Sequence, residues 1–179
     1  AATLKRQSRE FTGDVLFVLD ADTVLDSPDY IERCVRELYQ GCGIASASGR
    51  IEPLWPDQRQ QLVHAPAFRR WLAGDDYLDP LRPRGRWQRL WRHAGNLYHA
   101  HLARLQRFLD LGLMDWCGGV AVPAGTAVAY RRRYLRDLFD RYEPVRGDDL
   151  TGLEEQFIGH ALATEGYRNI RLDGVVARV

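Results

Sequence analysis

Residues 15–22, Val-Leu-Phe-Val-Leu-Asp-Ala-Asp, run five apolar side chains directly into two carboxylates spaced i, i+2. An apolar run of that length, with no polar alternation, is the pattern of a strand buried on both faces, as in parallel sheets. Asp20 and Asp22 then stand at the C-terminal edge of the strand, where open α/β sheets bind their ligands. Two oxygen donors there suit a hard dication, Mg²⁺ or Mn²⁺, that also holds phosphate oxygens. The expectation is phosphate chemistry at the end of a sheet.

The rest of the chain bounds this reading. With 179 residues, 45% of them hydrophobic, it has the size and apolar mass of one globular domain. Cys34, Cys42 and Cys117 are odd in number and form no Cys-x-x-Cys pair, so neither a disulfide framework nor a zinc knuckle is indicated and a reducing, cytoplasmic compartment fits. No run approaches the ~18 apolar residues of a membrane span. Because the chain opens on Ala1 rather than Met and reaches its first strand by Val15, it reads as a piece of a longer protein.

Helix and strand signals alternate through the first third. Ser27 and Pro28 form an N-cap and first-turn pair, and Ile31, Cys34, Val35 and Leu38 follow at helical spacing until Gly41 and Gly43. Ile44–Ser48 is small and partly β-branched and reads as the next strand, ending at Gly49. Strand, helix, strand predicts a right-handed βαβ unit.

Residues 80–109 contain seven arginines, three histidines and no acid. Within them Trp87, Leu90, Trp91, Ala94, Tyr98, Leu102, Leu105, Phe108 and Leu109 recur near the helical period, which predicts a long amphipathic helix bent at Gly95-Asn96. Its apolar stripe should pack on the domain or lie at a membrane interface, with the arginines outside; an ordinary solvated cationic face is the simpler alternative. With a net charge of only +1 and no recognised binding motif, nucleic acid is not an expected partner.

Two further stretches carry chemistry. From Trp116 to Tyr130 small residues dominate, including Gly118-Gly119 and Gly125-Thr126-Ala127, so the backbone can approach a ligand closely; Val128–Tyr130 then continues as a strand before a helix from about Arg132. A tightly packed strand and turn would read the same way. Gly147-Asp148-Asp149 precedes Thr151 and Glu154, which have capping-box spacing, and Leu153, Phe157, Ile158, Ala161 and Leu162 form one helical face that Gly166 ends. Asp148, Asp149, Glu154 and Glu155 crowd the N-terminal end of that helix, where the macrodipole favours an ionised carboxylate able to act as a base. Routine capping would also put acids there.

Taken in order, these stretches resemble the catalytic domain of inverting, family-2 glycosyltransferases with the GT-A fold, the group that includes cellulose, chitin and hyaluronan synthases. The resemblance rests on Asp20-Ala21-Asp22, Pro28-Asp29-Tyr30 and Gly49-Arg50-Ile51, then on Gly125-Thr126-Ala127 with Arg131-Arg132 and Leu135, an acidic motif, and Gly166-Tyr167-Arg168. It spans nearly the whole chain. It implies an α/β fold with a Rossmann-like, mixed but mostly parallel sheet flanked by helices, lacking the N-terminal strands that hold most of the nucleotide-base contacts.

The resemblance also implies a mechanism. Asp22, supported by Asp20, would bind Mg²⁺ or Mn²⁺ against the donor diphosphate, and a carboxylate would deprotonate the acceptor hydroxyl for in-line attack on the anomeric carbon. The base is Asp149, beside Asp148, by the wording of the acidic motif, or Glu155 by its spacing of eleven residues before Gly166. Asp149 is favoured because it precedes the capping box and projects from a loop. Trp116, Gly125, Thr126 and Arg131 are the expected donor and acceptor contacts. The implied partners are a nucleotide-sugar donor and a carbohydrate or lipid-linked acceptor, at the inner face of a membrane reached through segments outside this chain. Leu19-Asp20-Ala21-Asp22-Thr23-Val24 also fits a haloacid-dehalogenase-type phosphatase with Asp20 as nucleophile, although the only lysine is Lys5. A non-enzymatic module built on the Trp and Arg helix is the remaining alternative.

Overall fold

The computed structural model describes residues 2–72, 85–146 and 154–179. Its strands are β1 (Val15–Leu19), β2 (Val24–Leu25), β3 (Ile44–Glu52), β4 (Ala127–Arg131) and β5 (Arg168–Arg178). The helices are α1 (Ala2–Glu10), α2 (Tyr30–Leu38), α3 (Pro56–His64), α4 (Pro66–Leu72), α5 (Arg86–Cys117), α6 (Arg132–Arg146) and α7 (Glu154–Thr164).

The strands form one sheet in the order β1-β4-β3-β5-β2. This corrects the expectation of a mostly parallel sheet: only β3 and β5 pair parallel, while β1–β4, β3–β4 and β2–β5 are antiparallel. β1 and β3 both run antiparallel to β4, so they point the same way. The predicted strand–helix–strand unit is therefore present with β4 inserted between its strands. That insertion makes β1 an edge strand, so its apolar run is half-buried rather than fully buried, and Leu19 is exposed.

Alternation along the strands builds two cores. Ala127 and Ala129 of β4 join Tyr30, Cys34 and Leu38 of α2 on one face, while Val128 and Tyr130 join Leu135, Leu138 and Phe139 of α6 and Ile158 and Leu162 of α7 on the other. β1 divides the same way: Val15 and Phe17 pack on the first core, Leu16 and Val18 on the second. Helices thus cover both faces, as expected of an α/β domain.

Local details differ from the sequence pattern for identifiable reasons. The buried face of α2 is Tyr30, Cys34 and Leu38, and Ile31 is exposed. Tyr30 is polar by one atom only: its hydroxyl donates to the Ala127 carbonyl at 2.9 Å and accepts from the Gly49 N–H at 2.7 Å. Ser27 does not cap α2; its Oγ accepts the Val176 N–H at 2.9 Å. β3 continues past Gly49 to Glu52, because the missing side chain at Gly49 serves packing rather than strand termination. A Cβ there would lie 2.5 Å from the Tyr30 ring and 2.6 Å from the Val175 carbonyl. α5 runs without a break through Gly95 to Cys117, where Gly118 at φ +69° ends it.

Candidate functional site

The C-terminal end of β1 is tied to the start of β4. Leu19 pairs with Ala127, and the next N–H, that of Asp20, donates to the Thr126 carbonyl at 3.0 Å. The chain then turns, with the Thr23 N–H on the Asp20 carbonyl at 3.1 Å. The turn leaves Asp20 and Asp22 exposed at one end of the sheet. Partial desolvation, and then the negative charge of Asp22, raise the Asp20 carboxyl above the ordinary carboxylate range.

The strip from Gly118 to Thr126 is held in place by buried polar side chains. Asn169, 1% exposed, accepts from Ser46 Oγ at 2.7 Å through Oδ1 and donates through Nδ2 to the Gly159 carbonyl at 3.0 Å and the Val120 and Ala121 carbonyls at 3.4 Å. The Ala124 N–H donates to Ser48 Oγ at 3.2 Å. α7 rides directly on the strip through Gly159, where a Cβ would meet the Ala121 carbonyl at 2.7 Å and Pro123 at 2.8 Å.

Glu155 is one turn before Gly159, on the same side of α7. Its side chain accordingly lies against Gly125: a Cβ there would sit 2.0 Å from Glu155 Cγ and 2.3 Å from Oε1. Only glycine allows this approach. Gly125 and Thr126 therefore link two sets of acids, with Glu155 against one residue and the Asp20–Asp22 turn bonded to the next. The Oγ1 atoms of Thr23 and Thr126 are buried there with no hydrogen-bond partner among the described residues.

The donor chemistry at Asp20 and Asp22 fits Mg²⁺ or Mn²⁺. Both are hard oxygen ligands, exposed, and close enough for one charge to oppose ionisation of the other, a repulsion that a dication relieves. Among the described residues no group of three or more His, Cys, Asp or Glu could enclose a metal. An ion here would be held by one or two carboxylates and completed by phosphate oxygens and water, which suits Mg²⁺.

Other predicted residues stand elsewhere. Arg131 closes the far end of β4, opposite Val15; its guanidinium donates to the Leu38 and Gly41 carbonyls and stacks 4.9 Å from the Tyr39 ring, so it caps α2. Trp116 is 92% exposed near the end of α5. Asp148 and Asp149 lie outside the described residues.

Sequence reasoning passed over Asn169 and Arg171. Their signal was the period-2 pattern of Asn169, Arg171 and Asp173 between Ile170 and Leu172, which gives β5 one polar face. Arg171 pairs with Asp110 of α5 at 3.2 Å, both side chains nearly buried, and donates to the Gly49 carbonyl at 3.1 Å. Scanned against protein-family models and against curated proteins, the chain matches none.

Proposed function

We propose that this protein is an inverting, metal-dependent glycosyltransferase that moves a sugar from a nucleotide-diphosphate donor to the hydroxyl of a carbohydrate or lipid-linked acceptor, at the inner face of a membrane. The observation that carries the reading is the meeting of the Asp20–Asp22 turn and the Glu155 carboxylate on the two adjacent residues Gly125 and Thr126. Such a pair of acidic sites, one suited to a cation and one without an ion pair among the described residues, is what sugar transfer from a diphosphate requires.

Asp22 and Asp20 would hold Mg²⁺ or Mn²⁺, which when bound offsets the charge developing on the departing diphosphate. Glu155 accepts the acceptor's proton as the hydroxyl attacks the anomeric carbon from the face opposite the leaving group, which inverts the configuration. Two features favour Glu155 over Asp149: its contact with Gly125, and its spacing of eleven residues before Gly166. Gly125 lets the carboxylate approach the end of the sheet that carries Asp20 and Asp22. The phosphatase alternative is weaker here, because the only lysine, Lys5, sits in α1 on the α6 side of the sheet.

The test is release of nucleoside diphosphate from a panel of nucleotide-sugars, with Mg²⁺, with Mn²⁺ and with chelator. Metal-dependent release, with an inverted anomeric product, is expected. A stable beryllofluoride adduct on Asp20 together with phosphatase activity would overturn the assignment.

A further inference from the structure

α5 faces the domain with its polar side. Asp110 pairs with Arg171, Arg107 with Asp173 at 2.7 Å, and Met114 reaches the first core between and beyond them. At about 100° per residue these positions share one line of the helix. Trp87, Trp91, Tyr98, Leu105 and Trp116 share the opposite line, and all are exposed: Trp87 by 75%, Trp91 by 74% and Trp116 by 92%. The expected stripe exists, but it points away from the domain. At 1.5 Å per residue it extends about 44 Å.

We propose that this stripe seats α5 lengthwise on an anionic lipid surface. Single exposed hydrophobes are ordinary, whereas a continuous apolar face of this length marks a contact surface. Its aromatic content is that of helices lying in a bilayer interface, where Trp and Tyr put a ring among acyl chains and a polar atom in the headgroups. Charge selects the occupant. Arg86, Arg89, Arg92 and Arg104 have no ion pair among the described residues, against Asp115 as the one carboxylate of α5 not already paired. A cationic helix complements acidic phospholipid: at about 100° per residue Arg86 and Arg104 border the apolar face on one side and Arg92 on the other, where long side chains can reach phosphates, while Arg89 stands on the opposite line. A second copy of the chain would instead bring two cationic helices together. The helix lies on the surface and does not cross it: among the described residues no helix is long and apolar enough to span a membrane. The stripe is equally exposed whatever reaction the sheet end performs.

The experiment is co-sedimentation of the whole chain with phosphatidylcholine vesicles and with vesicles containing phosphatidylserine, at low and high salt. Binding to the acidic vesicles should be about tenfold or more tighter, should weaken with salt, and should shift tryptophan emission to the blue. Soluble glycerophosphoserine should not compete, because the bilayer and not the headgroup alone is the ligand. Trp91→Glu with Leu105→Glu, both at exposed positions, should keep the thermal unfolding of the parent and lose at least about tenfold in vesicle affinity. No binding to acidic vesicles at low salt, or undiminished binding by the double variant, overturns the proposal. So does a wild-type dimer that the double variant abolishes in the absence of vesicle binding, which would assign the stripe to a second copy.

Discussion

Removing the Asp110 carboxylate should cost far more than any other single ion-pair deletion on α5. The Asp110 and Arg171 side chains are 11% and 8% exposed and 3.2 Å apart. Desolvation raises the Asp110 carboxyl even beside a guanidinium, and lowers Arg171 even beside a carboxylate, so burial outweighs mutual attraction for both partners. Asp110→Ala leaves a buried guanidinium with carbonyl contacts at Gly49 and Val122 but no counter-charge. Such a deletion costs about 3–5 kcal/mol. Arg107–Asp173, with side chains 47% and 42% exposed, is screened by water. Arg107→Ala should leave stability close to the parent's. Because burial is a net cost to the charges, Asp110→Leu with Arg171→Met should return to within about 1 kcal/mol of the parent. Urea unfolding at constant m-value measures all three. An Asp110→Ala loss below about 1 kcal/mol, or a double variant as unstable as the single one, would refute the reasoning.

Gly125→Ala must displace Glu155, since the new Cβ would lie 2.0 Å from its Cγ. The side chain can swing outward, so turnover should fall by about 10² while the melting temperature stays close to the parent's, as steady-state kinetics and calorimetry will show. Asn169→Ala strands the Gly159 carbonyl and the Ser46 hydroxyl and should cost about 2–4 kcal/mol in urea unfolding. Burial pushes the Cys34 thiol up to about 12 from its ordinary 9.0, so the folded chain keeps a proton that the unfolded chain releases. Stability should therefore fall as pH rises above 9.0, with Cys34 contributing about 1.4 kcal/mol per pH unit. Cys34→Ala should remove that slope below pH 10.0, where Tyr30 and Tyr130, also raised by burial, begin to add theirs.

Local signals in the chain read well, and distant ones did not. The apolar run into Asp20, the strand and helix at Val128 and Arg132, and the stop at Gly166 depend on neighbours in sequence, and the structure has each of them. The sheet order depends on β4 entering between β1 and β3 from more than 70 residues away, and no period within a strand records its partner. Which of its two expected places the apolar stripe of α5 takes, the domain or an interface outside it, was not legible for the same reason. Amphipathicity alone leaves both open, and it is Asp110 and Arg107, finding partners in β5, that turn the polar side inward. In the candidate site, Asp20 and Asp22 were legible because a strand end displays its acids. Glu155 against Gly125 was not, because Gly159 and Asn169 set that contact through α7 and β5. Arg131 stands apart from the other candidate residues because a strand of five residues carries it to the far end of the sheet.

The central claim divides the acids by task, and binding measured beside turnover separates those tasks. Titration with Mn²⁺ and a nucleoside diphosphate, followed by turnover of the matching nucleotide-sugar, should be run on the parent, Asp22→Asn and Glu155→Gln. Asp22→Asn should weaken metal–nucleotide binding at least about tenfold. Glu155→Gln should bind like the parent and turn over about 10²–10⁴ more slowly, the usual worth of a general base. Turnover by Glu155→Gln within about tenfold of the parent, or undiminished Mn²⁺-dependent binding by Asp22→Asn, would contradict the account.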